Sequence, residues 1–563
     1  MRGQAKDGPL LVQAIAGTNV VLLAMDLQQR HTNGVLGFGI ERTDHTTNDK
    51  PKWLTGFRTF RGVEVADPKR APTNKHPIQA FLWGDYTATR GHDYTYRIVV
   101  MRGPKENPVE SEEVSIRLTM DREDVGTHEV YFNMGVAASQ AYINRFENKR
   151  PSEVGPKAYE WLSRGLEEAM ISFVRQATGT DWSIHAAVYE FSHEPILREF
   201  KNAIDRGVTV KIIFDSRKEG KFDKENNPIG PWKMNRDALK NANIADEFTT
   251  PRTKSPSYIS HNKFIILLKN GNPQQVWTGS TNITLGGIFG HSNVGHIVRD
   301  QQVAALYEMY WNQLQGDPEA KDLRLWTESN SMVPTGAPPP NSITPIFSPR
   351  GSLKALQWYA SRMEDANIAI FLTAAFGVND LFEKVFDSDK NNLRYLILES
   401  EDNNMKKLTR YEFNRVVIGD RIARNLFEHW LEEHLSGLNK HVKWVHTKYM
   451  LIDPLSEDPI VITGSANFSD SSVRNNDENM LVIRGDTHVA DIYLTEFMRL
   501  YRHFEFRNAE KSLGLASPSQ ISAHLADDDE WLKPYYQVDQ PEYKERLYFT
   551  RQNPFPTDLR VYH

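Results

Sequence analysis

The sequence predicts an all-β sandwich followed by two homologous α/β lobes packed on each other. Three observations carry this reading. Residues 1–125 break into strand-length runs separated by turn residues. Beyond them, strand-like apolar runs alternate with amphipathic helical patterns. That alternating series then occurs a second time, on the far side of a Pro/Gly-rich stretch at 332–343.

In the first part, residues 20–27, 34–43, 77–87, 94–103 and 113–120 are rich in β-branched and aromatic residues, with Gly, Asp, Asn and Pro clusters between them. The stretch 85–97 resembles the turn into a late strand of fibronectin type III domains. The first α/β lobe is expected over 126–331, with a strand at 182–191, a helix at 195–207 and a strand at 208–215. The second is expected over 344–510, where 367–376, 380–386 and 393–400 repeat that order. Both sheets are expected to be largely parallel. The remaining residues, 511–563, carry Trp531, Tyr535, Tyr536, Tyr543, Tyr548 and Phe549, too aromatic for a disordered tail and expected to pack on the lobes.

Composition narrows the function classes. A chain of 563 residues exceeds one hydrophobic core, and its net charge of −6 argues against a basic nucleic-acid coat while leaving a local basic groove open. Cysteine is absent, which removes disulfides, thiolate catalysis and Cys-based metal sites together. No run of 18 apolar residues appears, so no membrane span is expected. The N-terminal stretch reads as mature sequence, and a cytoplasmic location is the default expectation.

The chemistry-bearing signal is a motif pair. His261-Asn-Lys263 leads into an apolar run and then Gly279-Ser280-Thr281-Asn282; His446-Thr-Lys448 leads into another and then Gly464-Ser465-Ala466-Asn467. His to Gly is 18 residues and His to Asn is 21 in both copies. Either half alone would mean little; their joint recurrence at one spacing, in matching places of two lobes, does not arise from packing. Strand alternation puts His and Lys of each motif on one face. Gly allows the backbone to approach a ligand closely. The two Lys and two Asn suit the non-bridging oxygens of a phosphodiester. One imidazole can attack phosphorus to give a phosphohistidine, while the other protonates the departing oxygen and then activates water or an alcohol. This design needs no metal and no cofactor.

With this motif pair the chain resembles the phospholipase D superfamily in its two-lobed, single-chain form, over roughly residues 130–510. The resemblance implies a phosphohistidine mechanism and one active site at the lobe interface. It also implies that Glu478 matches the carboxylate that orients a catalytic His, reaching from one lobe to His261 of the other. The equivalent stretch of the first lobe offers Asn293 or a neighbour to His446. On that basis His261 is expected as nucleophile and His446 as general acid/base. The acidic residue that often lies five positions after the Lys is present as Asp453, and is usually structural; the first motif has Leu268 there.

Other residues read as packing or solvated surface. His291 and His296 lack the spacing of a helical zinc pair and have no acidic ligand nearby in sequence. His185 and His193 flank a strand-to-helix turn and read as core or rim. The polar stretch 216–224, together with Lys406, Lys407 and Arg410, reads as solvated loop. The expected reaction is therefore hydrolysis or alcohol transfer at a phosphodiester, in a chain that completes its site as a monomer. A phospholipid head group is the leading substrate, with peripheral membrane contact. The alternatives are a nuclease acting by the same chemistry and an inactive binding scaffold.

Overall fold

The computed structural model describes residues 1–67, 70–123, 126–135, 140–147, 149–217, 230–254, 258–420, 444–511 and 524–551. Two four-stranded antiparallel sheets open the chain. One runs Arg2–Asp7, Leu10–Ala16, Val21–Leu27, Leu82–Asp85; the other runs Val109–Thr119, Asp93–Arg102, Val35–Asp44, Lys52–Trp53. Alternation along the Asp93–Arg102 strand turns Tyr94, Tyr96, Ile98 and Val100 inward, where they share one core with Leu10, Val12, Val21 and Leu23 of the other sheet. At the corner before that strand, the Thr89 N–H donates to the Tyr94 hydroxyl at 3.0 Å.

Two seven-stranded sheets follow. The first has the order His128–Phe132, Val294–Val298, Asn272–Gly279, Lys263–Lys269, Trp182–Val188, Thr209–Asp215, Thr249–Arg252. The second has the order Ser342–Ser348, Glu478–Arg484, Ile460–Gly464, Tyr449–Ile452, Ala369–Ala374, Leu393–Leu398, Asn414–Ile418. Strand order and pairing sense are the same in both. Only the last two pairings of each sheet are parallel, which corrects the expectation of largely parallel sheets. A buried apolar run carries no record of its neighbour's direction.

One core joins the lobes. The Gln301–Gln315 helix, capped by the Asp300 carboxylate on the Val303 N–H at 2.9 Å, buries Val303, Tyr307, Tyr310, Trp311 and Leu314 along a single stripe. The Thr487–Lys511 helix contributes Val489, Tyr493, Phe497 and Tyr501 to the same core, together with Phe264 of the first lobe and Tyr449 of the second. Backbone bridges cross the interface at Ser260–Asp477 and Ser292–Val445. These two bridges exchange under the 185-residue offset that separates His261 from His446.

The described part of the aromatic extension packs on the N-terminal sheets as well as on the second lobe. Trp531, Tyr535 and Tyr536 gather around Phe81 of the N-terminal sheets, and Trp531 Nε1 donates to the Val35 carbonyl at 3.0 Å. The Pro541–Thr550 helix bridges the two, pairing Arg546 with Asp26 of the N-terminal sheets and placing Tyr548 against Phe371 of the second lobe.

Candidate active site

In each lobe the His-x-Lys motif leads into the central strand, and Gly-Ser-x-Asn follows the adjacent antiparallel strand. Both glycines are sterically required. A Cβ on Gly279, whose φ is +134°, would sit 2.2 Å from the Val294 carbonyl oxygen, and one on Gly464 would sit 2.2 Å from that of Asn479. A carboxylate at the end of a parallel strand holds the approach to each motif. Asp215 accepts from the Ser260 N–H at 3.0 Å, and Glu399 accepts from the Val445 N–H at 2.7 Å.

Each imidazole is held by the opposite lobe. His261 Nδ1 donates to Glu478, with its oxygens at 2.9 and 3.0 Å, and His446 Nδ1 donates to Asn293 Oδ1 at 2.9 Å. The motif serines fix those acceptors: Ser465 donates to Glu478 at 2.6 Å and Ser280 to Asn293 at 2.8 Å. Lys263 Nζ donates to the His261 carbonyl at 2.7 Å, and Lys448 makes the same bond to His446. Asn282 Nδ2 donates to Glu190 at 2.6 Å, while the Oδ1 atoms of Asn282 and Asn467 are buried without a partner among the described residues. A buried ion pair, Arg252 Nε to Asp477 at 2.9 Å, ties the lobes beside the crossing.

The electrostatics are those of an anion site. Burial pushes Lys263 down to about 8, against the pull of Glu478 and Glu190. Burial and the neighbouring Lys263 push Lys448 well below the usual lysine range. His261 is pushed down to about 4 by burial, only partly offset by Glu478, and His446 falls well below its ordinary value through burial and Lys448. Burial also works against ionisation of Glu478, but His261 and Lys263 outweigh it and keep its pKa below the usual range. Two ammonium groups and two imidazoles thus meet at the lobe crossing, with Glu478 bonded to one imidazole and Glu190 and Glu399 acting on the lysines from further off. An incoming phosphodiester anion would ease the cost of charging them.

A sequence-family profile described as "Cardiolipin synthase, PLD-like domain" matches residues 170–315 and 365–501, half of the chain. The chain belongs to this phospholipase D-like family. The matched stretches contain both His-x-Lys motifs, both Gly-Ser-x-Asn motifs, Asn293 and Glu478. Among curated proteins, the mitochondrial cardiolipin hydrolase of the dog is 29% identical over 83 residues. That match spans 14% of this chain and 31% of the relative, so the chain matches under a third of that protein's length. Among solved structures, phosphatidylserine synthase of Haemophilus influenzae aligns at 10% identity over 69% of this chain and 94% of that one, with a TM-score of 0.42. Yeast tyrosyl-DNA phosphodiesterase aligns at 13% identity over 57% and 88%, with a TM-score of 0.33. Nuc of Salmonella typhimurium aligns at 18% identity over 29% and 95%, with a TM-score of 0.21.

The remaining residues of this phospholipase D-like chain sort by their contacts. Asp453 lies away from the site; its carboxylate accepts from the N–H groups of Asn367, Ile368 and Ala369 at 2.8 Å and anchors the start of a strand. Leu268, its counterpart in the first lobe, is a core residue. His185 stacks on Trp311 and pairs with Glu308, and His193 pairs with Glu167. His296 is buried between His128 and the Tyr493 hydroxyl. Lys407 and Arg410 pair with Glu383 and Asp387. Of the polar stretch 216–224, residues 218–224 lie outside the described residues. Among the described residues no group of three or more His, Asp or Glu is arranged to hold a metal ion, and no helix is long and apolar enough to cross a membrane.

Sequence reasoning passed over Asp215, Glu399, Glu190 and Tyr189, and weighed His291 only as a possible zinc ligand. Tyr189 places its ring 4.9 Å from that of His261 and 5.3 Å from Lys263 Nζ. The signal for it and Glu190 was their position just past the Trp182–Val188 strand, where α/β sites form.

Proposed function

We propose that this chain is a phosphodiesterase working through a phosphohistidine at one composite site. The observation that carries this reading is the crossing itself: the histidine of each lobe is held by the other lobe, His261 by Glu478 and His446 by Asn293. In the first step His261 Nε2 attacks phosphorus, the bond to the leaving oxygen breaks, and His446 gives that oxygen a proton. In the second, water attacks phosphorus, His446 takes the proton from water, and the P–N bond breaks. Lys263, Lys448, Asn282 and Asn467 stabilise the non-bridging oxygens. Because one chain supplies both motifs, no second copy is needed.

For the substrate we favour a phospholipid head group. A cavity of about 420 Å³ in the second lobe carries Glu399, which holds the Val445 N–H, together with Glu401, Asp402 and Asp420 in its lining, a poor surface for a polyanionic nucleic acid. Phe376 lines the same cavity and is 63% exposed; Leu285, three residues past Asn282, is 48% exposed, and both suit contact with lipid. The matching profile and the dog relative both take their names from cardiolipin. The strand order of the N-terminal sheets and the Tyr94 corner support a fibronectin type III-like module. The 185-residue exchange of interface contacts supports a pseudo-two-fold pair of lobes. Phosphatidylcholine and cardiolipin vesicles, single-stranded DNA, duplex DNA and RNA, assayed side by side with and without EDTA, test the function. Release of head group from vesicles that survives chelation is expected. Cleavage of nucleic acid alone would make the chain a nuclease, and metal-dependent turnover would overturn the mechanism.

A further inference from the structure

An amide is a less forgiving partner for an imidazole than a carboxylate. Either oxygen of Glu478 accepts from His261, so no rotation of that side chain is wrong. Asn293 has one accepting end and one donating end. Turned the other way, it would offer N–H groups to His446 Nδ1 and favour the opposite tautomer.

Three contacts hold it correctly. Ser280 donates to Oδ1 at 2.8 Å; Nδ2 donates to the Gly287 carbonyl at 2.7 Å and to His291 Nδ1 at 2.9 Å. The His291 ring lies 4.7 Å from that of His446, inclined at 50°. At the position 185 residues later the second lobe has Asn476, whose Nδ2 lies 3.4 Å from Glu478.

We propose that His291 is a positioning residue of this site: an acceptor that locks Asn293, so that His446, once it has given its Nε2 proton to the leaving oxygen, keeps the remaining proton on Nδ1 and presents a bare Nε2 to water. The inference rests on the reading of His446 as general acid/base. Burial and the nearby Lys448 hold the His291 pKa down to about 3, so its Nδ1 keeps a lone pair for Asn293 at neutral pH. In the hydrolytic step water must pass a proton to His446 Nε2 as its oxygen attacks phosphorus. The wrong tautomer, with Nε2 already protonated, stalls there and lets the covalent adduct accumulate. Formation of the adduct from a diester with an activated leaving group needs no proton and is unaffected.

The test compares His291→Phe and His291→Asn in the full chain on bis(4-nitrophenyl) phosphate. His291→Phe keeps the ring but loses the acceptor; Asn can place Oδ1 where Nδ1 was. His291→Phe is expected to give a burst of nitrophenolate at the wild-type rate and then break down its adduct about tenfold more slowly, the scale of one lost buried hydrogen bond. His291→Asn is expected to restore turnover. Nitrogen-15 spectra of labelled histidine, with His446 assigned by its own substitution, are expected to show the Nδ1–H form in wild type and a shift toward Nε2–H in His291→Phe. Unchanged breakdown and an unchanged tautomer in His291→Phe would overturn the proposal, as would a His291→Asn variant equally impaired with its tautomer intact. If His291→Phe does not fold, an impaired His291→Asn variant with a wild-type tautomer still overturns it. If wild type itself forms no adduct, the phosphohistidine reading fails instead, and the spectra alone decide the role of His291.

Discussion

Replacing Glu478 by Gln gives the first-lobe histidine an amide partner like the one Asn293 offers His446, and it changes little else in volume. Glu478 accepts from His261 and Ser465 and lies near Lys263 in a buried site. With the imidazole and carboxylate charge centres about 4 Å apart and an effective dielectric constant of about 20, their attraction is roughly 4 kcal/mol. That attraction reaches full strength only as His261 becomes cationic on attacking phosphorus. Its loss therefore falls on the covalent step and corresponds to about three powers of ten in rate. Single-turnover release of nitrophenolate from bis(4-nitrophenyl) phosphate reads that step, and thermal denaturation confirms that the variant folds. A burst in Glu478→Gln within about threefold of wild type would refute the assignment of Glu478 as the partner that charges His261.

Three further outcomes are expected. With the activated diester, His446→Ala forms the adduct and stalls, whereas His261→Ala gives no burst; mass spectrometry locating phosphorus on His446 reverses the assignment. His261 and His291 titrate near 4 and 3 in the folded chain, below the ordinary 6.5, so the unfolded chain binds more protons between those values. The contribution of these rings is then complete above about pH 6.5 and lost as pH falls toward 4; the buried Asp215 carboxyl, raised to about 6, offsets part of that loss below pH 6. The melting temperature should fall by roughly 3 °C or more from pH 7 to 5, and a flat profile contradicts the burial of these rings. Arg252→Ala leaves Asp477 buried without its bidentate partner at the lobe crossing, at a cost of roughly 3–5 kcal/mol, read as a lower denaturation midpoint.

Much of the site was legible because its residues recur at one spacing, and a repeat of two halves at identical spacing has few structural causes. The cross-lobe contacts of Glu478 and Asn293 were legible only through the family resemblance, since no local pattern in the chain says which side chain reaches across an interface. Asp215 and Glu399 escaped notice because each binds backbone N–H groups some 45 residues further on. His291 was weighed only as a possible zinc ligand; its place beside His446 depends on the bridge from Ser292 to Val445 in the other lobe. Strand direction was invisible for a similar reason, because burial on both faces gives the same apolar run in parallel and antiparallel pairs. The split of the aromatic extension shows the limit of composition, which marks Trp531 and Tyr548 as packed but not the surface each packs on.

The central claim is a single site that needs both lobes. Steady-state turnover of Lys263→Ala and Lys448→Ala, measured separately in the full chain on the same diester, tests it most directly. Both ammonium groups lie buried at the one crossing, so each substitution alone is expected to cut turnover by about 10²-fold or more. Retention of about half the wild-type activity by either variant would mean two independent sites, and the composite site would be wrong.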